Sequence, residues 1–397
     1  MQIVRKLIDF FNKPFLSNYR TILLLWVSVS VFLGVFSSLT NRIHNNYQIY
    51  KYVFINLLEQ VSLYKPRPEF FDDVNHYGPF FGILISPFAI LPDILGATLW
   101  LVILGLVFFY SIKELPVTRL QKIAIFWICT NSLIIAQTNF QFNIITVSLI
   151  ILSYTNIKKE KDFWAAFMIM LGFFVKLYGI VGFAFFFFSK HKSRLLFWSL
   201  FWGIVFFVLP MLISSPGYVI TQYKEWFAEL IIKNNVNNNS LHQNISLLGM
   251  IRKSTGLLWL LNWPMIVGGA IFFALPYLRI QEYKHARFQL LTLASVLTFI
   301  VLFSTGSEPS SYIIVLAGMA IWFVIQPRPH TWWSLFLIIF GIIFSSFPPS
   351  DLFPRAFYYR FILPYALQAL PCTIIWFTIV YEMLFQKSDN YLTDSHK

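Results

Sequence analysis

The sequence predicts an all-α polytopic membrane protein, and three observations carry that prediction. Hydrophobic residues fill 57% of the 397 positions and charged residues only 12%, about half the charged share of an ordinary soluble domain. Aromatic residues reach 19%, with 45 Phe, 19 Tyr and 13 Trp; a soluble core of this size cannot cover that much apolar surface. The apolar runs are continuous rather than alternating, which excludes an outer-membrane barrel. At roughly 20 residues per span the chain has room for about eleven to thirteen crossings in a single integral domain, residues 1–397.

Charge placement sets the expected orientation. The formal net charge is +13, which in a soluble protein points to nucleic acid. Here nineteen of the 30 Lys and Arg fall in the N-terminal stretch, the C-terminal tail and short segments near 113–122, 158–161, 190–194, 279–287 and 326–330. Ten are spread over the longer polar segments 41–77, 215–255 and 348–360, and one, Lys176, lies inside an apolar run. Short, cation-dense loops are cytoplasmic ones. Both termini are therefore expected inside, in an inner (plasma) membrane, with the three long segments outside. The basic surplus suits membrane lipids rather than nucleic acid. Residues 21–39 read as a retained first span, because no apolar stretch or small-residue cleavage site precedes them. Cys129 and Cys372 fall in apolar spans with neither disulfide nor metal spacing.

After the first span, Tyr47, Tyr50, Phe54, Leu57, Leu58 and Val61 recur at helical spacing, as in a helix lying in the membrane interface. Lys65-Pro66-Arg67-Pro68 breaks that helix, and Glu69 to Tyr77 completes the outer loop. Two apolar runs follow, 78–91 and 94–112. If both cross, the basic 113–122 segment lands outside, against the charge rule; either the first is a short re-entrant piece or a later pair does not fully span. Further runs cover 121–136, 140–155, 163–175 and 178–189, several too short for an upright crossing, as expected of broken helices around a cavity. Runs near 195–213, 256–278, 287–304, 310–326, 331–347 and 361–384 complete the set. In the outer segment 215–255, Tyr223, Trp226, Phe227, Leu230 and Ile231 form one stripe opposite Lys224, Glu225, Glu229 and Lys233, again as on a membrane surface. No repeat suggests the inverted halves of a transporter.

Polar residues stranded in apolar runs mark where chemistry can sit. Gln137-Thr138-Asn139, with Gln141 and Asn143, reads equally as cavity lining or as helix-to-helix hydrogen bonding. Lys176-Leu177-Tyr178 lies in the middle of a 28-residue apolar stretch, too far from either end to snorkel easily. A buried ammonium needs a partner, so Lys176 reads as an anion ligand. Ser304 to Ser310 places Glu308 and several hydroxyls in a turn, which suits a site or an ordinary solvated turn. The outer carboxylates Glu69, Asp72 and Asp73, with His76, are possible general bases. Carboxylates outside a cavity, near a phosphate-holding lysine, suit transfer from a phosphate-linked donor. The amides and hydroxyls of Asn238-Asn239-Ser240 and Leu241-His242-Gln243-Asn244 suit sugar recognition or any surface loop.

Taken in order, these segments resemble glycosyltransferase family 87, of the GT-C membrane superfamily. The resemblance rests on Asn46-Tyr47-Gln48-Ile49-Tyr50 with Leu63-Tyr64, then Tyr77-Gly78-Pro79-Phe80, Pro87 to Pro92 and Trp100. It continues through Gln137-Thr138-Asn139, Lys176-Leu177-Tyr178 and Asn239-Ser240-Leu241, and spans about residues 40–310. It implies a GT-C-like bundle and transfer of a mannose-like hexose from a polyprenyl-phosphate donor to a lipid or glycan acceptor on the outer face. It also implies that Lys176, with Tyr178, contacts the donor phosphate. Gln137, Asn139, His76, Tyr77, Asn239, Ser240, His242 and Glu308 would then line the sugar and acceptor pocket. One position departs from the family pattern. Asn46 stands where an aspartate is taken as the general base, and an amide cannot take up the proton. Asp72 or Asp73 can substitute if the loop folds back; otherwise the chain is a non-catalytic binder or transporter of lipid-linked saccharides. No cofactor motif and no metal-ligand spacing is present, though the outer carboxylates can recruit a divalent ion. An ion-coupled carrier would need paired buried carboxylates, which the long apolar runs lack.

Overall fold

A computed structural model describes residues 13–40, 45–238, 240–257 and 259–388. The described residues are helical throughout, with no strand. Four helices are individually long and apolar enough to cross a bilayer: Tyr19–Leu39, Asp93–Lys113, Arg119–Thr138 and Lys192–Leu212. A fifth candidate, Arg355–Tyr365 with Ala369–Phe385, is bent by 56°, and several further apolar helices are shorter. Large apolar side chains such as Phe32, Phe36, Leu200 and Ile204 face outward, where only lipid can cover them. The chain is a polytopic membrane protein.

Three helices form the centre. Asn143–Lys158, Ala286–Leu302 and Tyr312–Val324 are buried on almost every face, which is why they are apolar all round rather than striped. Several of their Ser and Thr hydroxyls bond back to their own turns, as Ser148 does to Ile144 O at 2.7 Å and Thr298 to Ala294 O at 2.8 Å.

The polar segments sort to two ends. At one, Lys190 pairs with Glu160 at 2.6 Å, Arg194 with Asp162 at 2.6 Å, and Arg279 with the carbonyls of Met383 and Gln386. At the other, the 45–77 loop meets the Pro216–Asn238 helix through Ser62 and Glu225 at 2.7 Å, and Asn244 and Ile245 hydrogen-bond the 304–311 turn.

The ambiguity at 78–112 is resolved by length. Phe81–Ala89 has 9 residues, about 13 Å of helix against a hydrocarbon core of about 30 Å. It is a short piece, and among the described residues of that stretch only Asp93–Lys113 is long and apolar enough to cross. The apolar stretch around Lys176 folds as a hairpin. Asp162–Val175 runs inward, and the 3-10 helix Leu177–Phe188 runs back beside it. Both ends meet where Ser189 and Arg194 bond the Asp162 carboxylate at 3.3 and 2.6 Å. The return is possible because Gly172 and Gly179 touch. A Cβ on Gly179 would lie 2.3 Å from the backbone of Gly172 and Phe173. A 3-10 run of 12 residues is long for that geometry. Lys176 sits at the apex in extended backbone, φ −151° and ψ 100°.

Both expected interfacial helices differ from the simple surface picture. In Asn45–Glu59, Tyr47, Tyr50 and Leu57 are buried in the protein while Leu58 is exposed. In Pro216–Asn238, Tyr223 and Trp226 turn inward, while Phe227 and Ile231 face out with Ile220, Ile232 and Val236. The second helix lies against the first outer loop, so its polar face finds protein partners instead of water.

Two packing predictions follow from these contacts. Gly179→Leu overfills the hairpin apex and should lower stability by about 1–3 kcal/mol or more, read as a lower melting temperature in detergent; Gly217→Ala, where nothing lies within 4 Å, should leave it unchanged. Arg287 and Glu382 pair at 2.7 Å with side chains 2% and 5% exposed, and Trp322 and Gln326 also donate to that carboxylate. Glu382→Leu should cost about 3–5 kcal/mol, and adding Arg287→Met should recover most of it.

Candidate functional site

Three breaks in the helical structure converge on Lys176. The first is the hairpin apex itself. The second is the 139–142 break, after which Asn143 opens the central helix; its Oδ1 accepts from Lys176 Nζ at 2.8 Å. Asn143 is held in turn, its amide nitrogen donating to Gln141 Oε1 at 3.3 Å and Ser311 Oγ at 3.2 Å. The third is the loop before Phe81, whose Gly78 N–H donates to Val175 O at 3.1 Å. A side chain at Gly78 would collide with Phe174 O, 2.2 Å from its Cβ, so the loop can approach this closely only as glycine.

That approach places the Tyr77 ring beneath the ammonium, 5.9 Å from Nζ, with the Tyr178 ring at 5.3 Å. Both distances suit cation–π attraction. Tyr77 is fixed by Tyr50 OH at 3.0 Å, by Tyr64 OH and Asn75 Nδ2 donating to its carbonyl, and by its own N–H donating to Asn75 Oδ1 at 2.9 Å. Tyr178 OH pairs with Ser304 Oγ. Lys176 is half-buried, and among the described residues no carboxylate lies within ion-pair distance of it. Glu308 is the one acid whose charge reaches it, and that carboxylate accepts instead from Ser310 Oγ at 2.7 Å. An ammonium carries three donors; Asn143 takes one. Among the described residues, the other two N–H groups meet no hydrogen-bond acceptor.

Beside this centre lies a charged cluster on the outer loops. His76 Nδ1 is 3.4 Å from Glu229 Oε1, and Nε2 is 3.8 Å from Asp73 Oδ1. Asp73 also pairs with Lys233 at 3.3 Å. The backbone here is anchored by Trp226, whose indole N–H donates to His76 O at 2.9 Å. Burial, reinforced by Lys233 and Lys176 and opposed by Asp73, lowers the His76 pKa to about 4, so the ring is neutral at physiological pH. Burial pushes the Glu229 carboxyl up, against the pull of Lys233.

The remaining sequence candidates scatter. Gln137 is fully buried and donates to Ser30 Oγ at 2.7 Å and Leu101 O at 3.0 Å; it stitches helices together. The Asn139 side chain caps its own helix by donating to Ile135 O, while its carbonyl accepts from Asn46 Nδ2 at 2.9 Å. Asp72 is exposed, and its backbone N–H is held by Asn45 Oδ1. Ser240 caps a turn through Gln243 N–H, and His242 is exposed. Asn239 lies outside the described residues. Asn143 and Ser304 belong to the polar groups the sequence marked, whereas Ser311, Tyr50, Asn75, Glu229 and Lys233 contribute to the site or its cluster without having been singled out for it. Only Asn75, two residues before Tyr77, carries a local signal, that of an Asx turn.

A profile of glycosyltransferase family 87 matches residues 75–305, more than half of the chain. The matched segment includes His76, Tyr77, Asn143, Lys176 and Glu229, and begins after Asn46, Asp72 and Asp73. No curated relative matches the chain. An integral membrane architecture agrees with that profile, and the chain belongs to glycosyltransferase family 87, the membrane glycosyltransferases.

Proposed function

We propose that this protein transfers a mannose-like hexose from a polyprenyl-phosphate donor to a lipid or glycan acceptor at the outer face of an inner membrane. The single observation behind this reading is the ammonium of Lys176 at the apex of an apolar hairpin. It has two unused donors and no carboxylate in contact. A cation so placed attracts an anion. A phosphate on an isoprenoid tail reaches it while the tail stays in lipid. The charge rule supports the orientation, since the end opposite the site carries the cation-dense short loops. Lys176 would neutralise the departing phosphate, with the Tyr178 and Tyr77 rings beside it. Proton removal would fall to the segment Asp72 to His76, where Asp73 rather than Asp72 faces the cluster.

A second reading, a non-catalytic binder of lipid-linked saccharide, is favoured by one contact. The Asn46 amide donates to Asn139 O, a role no carboxylate can fill.

Two measurements on the full chain in nanodiscs separate these readings. Lys176→Met keeps the length and removes the charge; affinity for a polyprenyl-phosphate hexose should fall about 10- to 100-fold, the worth of charged hydrogen bonds, and unchanged affinity removes the phosphate role. Asp72→Asn with Asp73→Asn should abolish most sugar transfer while sparing donor binding. Full turnover in that double variant would take the acidic loop out of the chemistry.

A further inference from the structure

Lys176 can account for the leaving group, but the proton of the acceptor hydroxyl also needs a destination, and Asn46 offers none. His76 is built to receive it. It immediately precedes Tyr77, whose ring lies under the Lys176 ammonium. Both imidazole nitrogens are buried, and neither completes a hydrogen bond. Each nevertheless has a carboxylate close by, Glu229 at 3.4 Å from Nδ1 and Asp73 at 3.8 Å from Nε2. A base with its second nitrogen aimed at an acid is the arrangement that nucleophile activation requires, and such contacts are often long before substrate binds. Resting on the donor reading above, we infer that His76 is the general base, accepting the acceptor proton at Nε2 while Glu229 orients the ring by accepting from Nδ1–H.

The step balances. The acceptor oxygen forms a bond to the anomeric carbon as the bond from that carbon to the phosphate oxygen breaks, its electron pair leaving with the polyprenyl phosphate. The acceptor's proton moves to Nε2. The resulting imidazolium lies between Glu229 and Asp73, and the new phosphate charge lies at Lys176. Asp73 is about half exposed, which gives the proton a route to water.

The groups that face His76 are Asp73 on its own loop, Glu229 and Lys233 on the Pro216–Asn238 helix, and Lys176 on the hairpin. In the empty site burial, then Lys233 and to the smallest extent Lys176, hold the ring's pKa near 4 against the pull of Asp73. A phosphate at Lys176 cancels one of those cations, so the ring becomes a stronger base when the donor is bound. Since the base must be neutral to act, transfer falls as pH drops through its pKa. The acid limb of kcat, which reports the loaded enzyme, should therefore lie at higher pH than that of kcat/KM, which reports the free enzyme.

The test uses the full chain in nanodiscs with radiolabelled decaprenyl-phosphate mannose as donor probe and octyl α-mannoside as acceptor. His76→Gln should lower kcat about 100-fold or more and erase the acid limb, with donor Kd unchanged on the same preparation. Glu229→Gln should lower kcat less and shift the acid limb to lower pH, a change that a merely structural role would not produce. Near wild-type turnover by donor-loaded His76→Gln overturns the inference and leaves the donor reading standing. Donor binding without wild-type turnover overturns it in favour of the non-catalytic reading. Failure to bind the donor at all overturns the Lys176 reading and this inference together.

Discussion

Holding one ammonium at the tip of an apolar hairpin is the constraint around which the rest of the fold is arranged. A cation among apolar helices is costly unless something receives its hydrogen bonds. The protein offsets the cost in part, through one amide oxygen and two ring faces. Each of those partners demands a departure from regular helix. Asn143 must follow a break to face the apex, Tyr77 must sit in a loop close enough for Gly78 to bond Val175, and the hairpin must turn where Gly172 meets Gly179. The polar interruptions that make the spans short are the features that assemble the site.

This explains what the sequence could and could not reveal. The membrane class followed from composition, since no soluble fold hides that much Phe. The two polar ends followed from where the lysines and arginines fall. The hairpin did not, because two apolar runs flanking a lysine look the same whether the second continues across the bilayer or turns back. The contact between Gly172 and Gly179 that decides the matter is tertiary. The same limit separates Gln137 from Asn143. Both are amides in apolar surroundings near one helix break, but Gln137 turns toward Ser30 and Leu101 while Asn143 turns toward Lys176. The stripe on Pro216–Asn238 was visible, yet its polar face pairs with Ser62 and His76 rather than water, a partnership that no periodicity encodes.

Asn46 illustrates how one atom changes a position's use. Its amide nitrogen donates to Asn139 O and so ties the first outer helix to the break that positions Asn143. A carboxylate there would face a carbonyl oxygen with no hydrogen to share. In this chain the position carries a donor, and the fold around it suits a donor. Under the proposed chemistry a proton acceptor would come from elsewhere on the outer loops, where neither ring nitrogen of His76 completes a hydrogen bond.

The charges around that imidazole also order events. Under the proposed chemistry, a cation that holds phosphate would work against a neighbouring base, because Lys176 adds to the lowering of the His76 pKa that burial and Lys233 cause. On that reading the two functions would be compatible if the phosphate arrives before the proton is moved. Its negative charge then relieves the ring of one repulsive neighbour at the moment the acceptor oxygen must lose its hydrogen. An acceptor that entered the empty site would meet a weak base and no leaving group. If His76 is the base, its place one residue before the tyrosine that lies under the lysine would couple donor occupancy to proton affinity through distance alone, with no moving part.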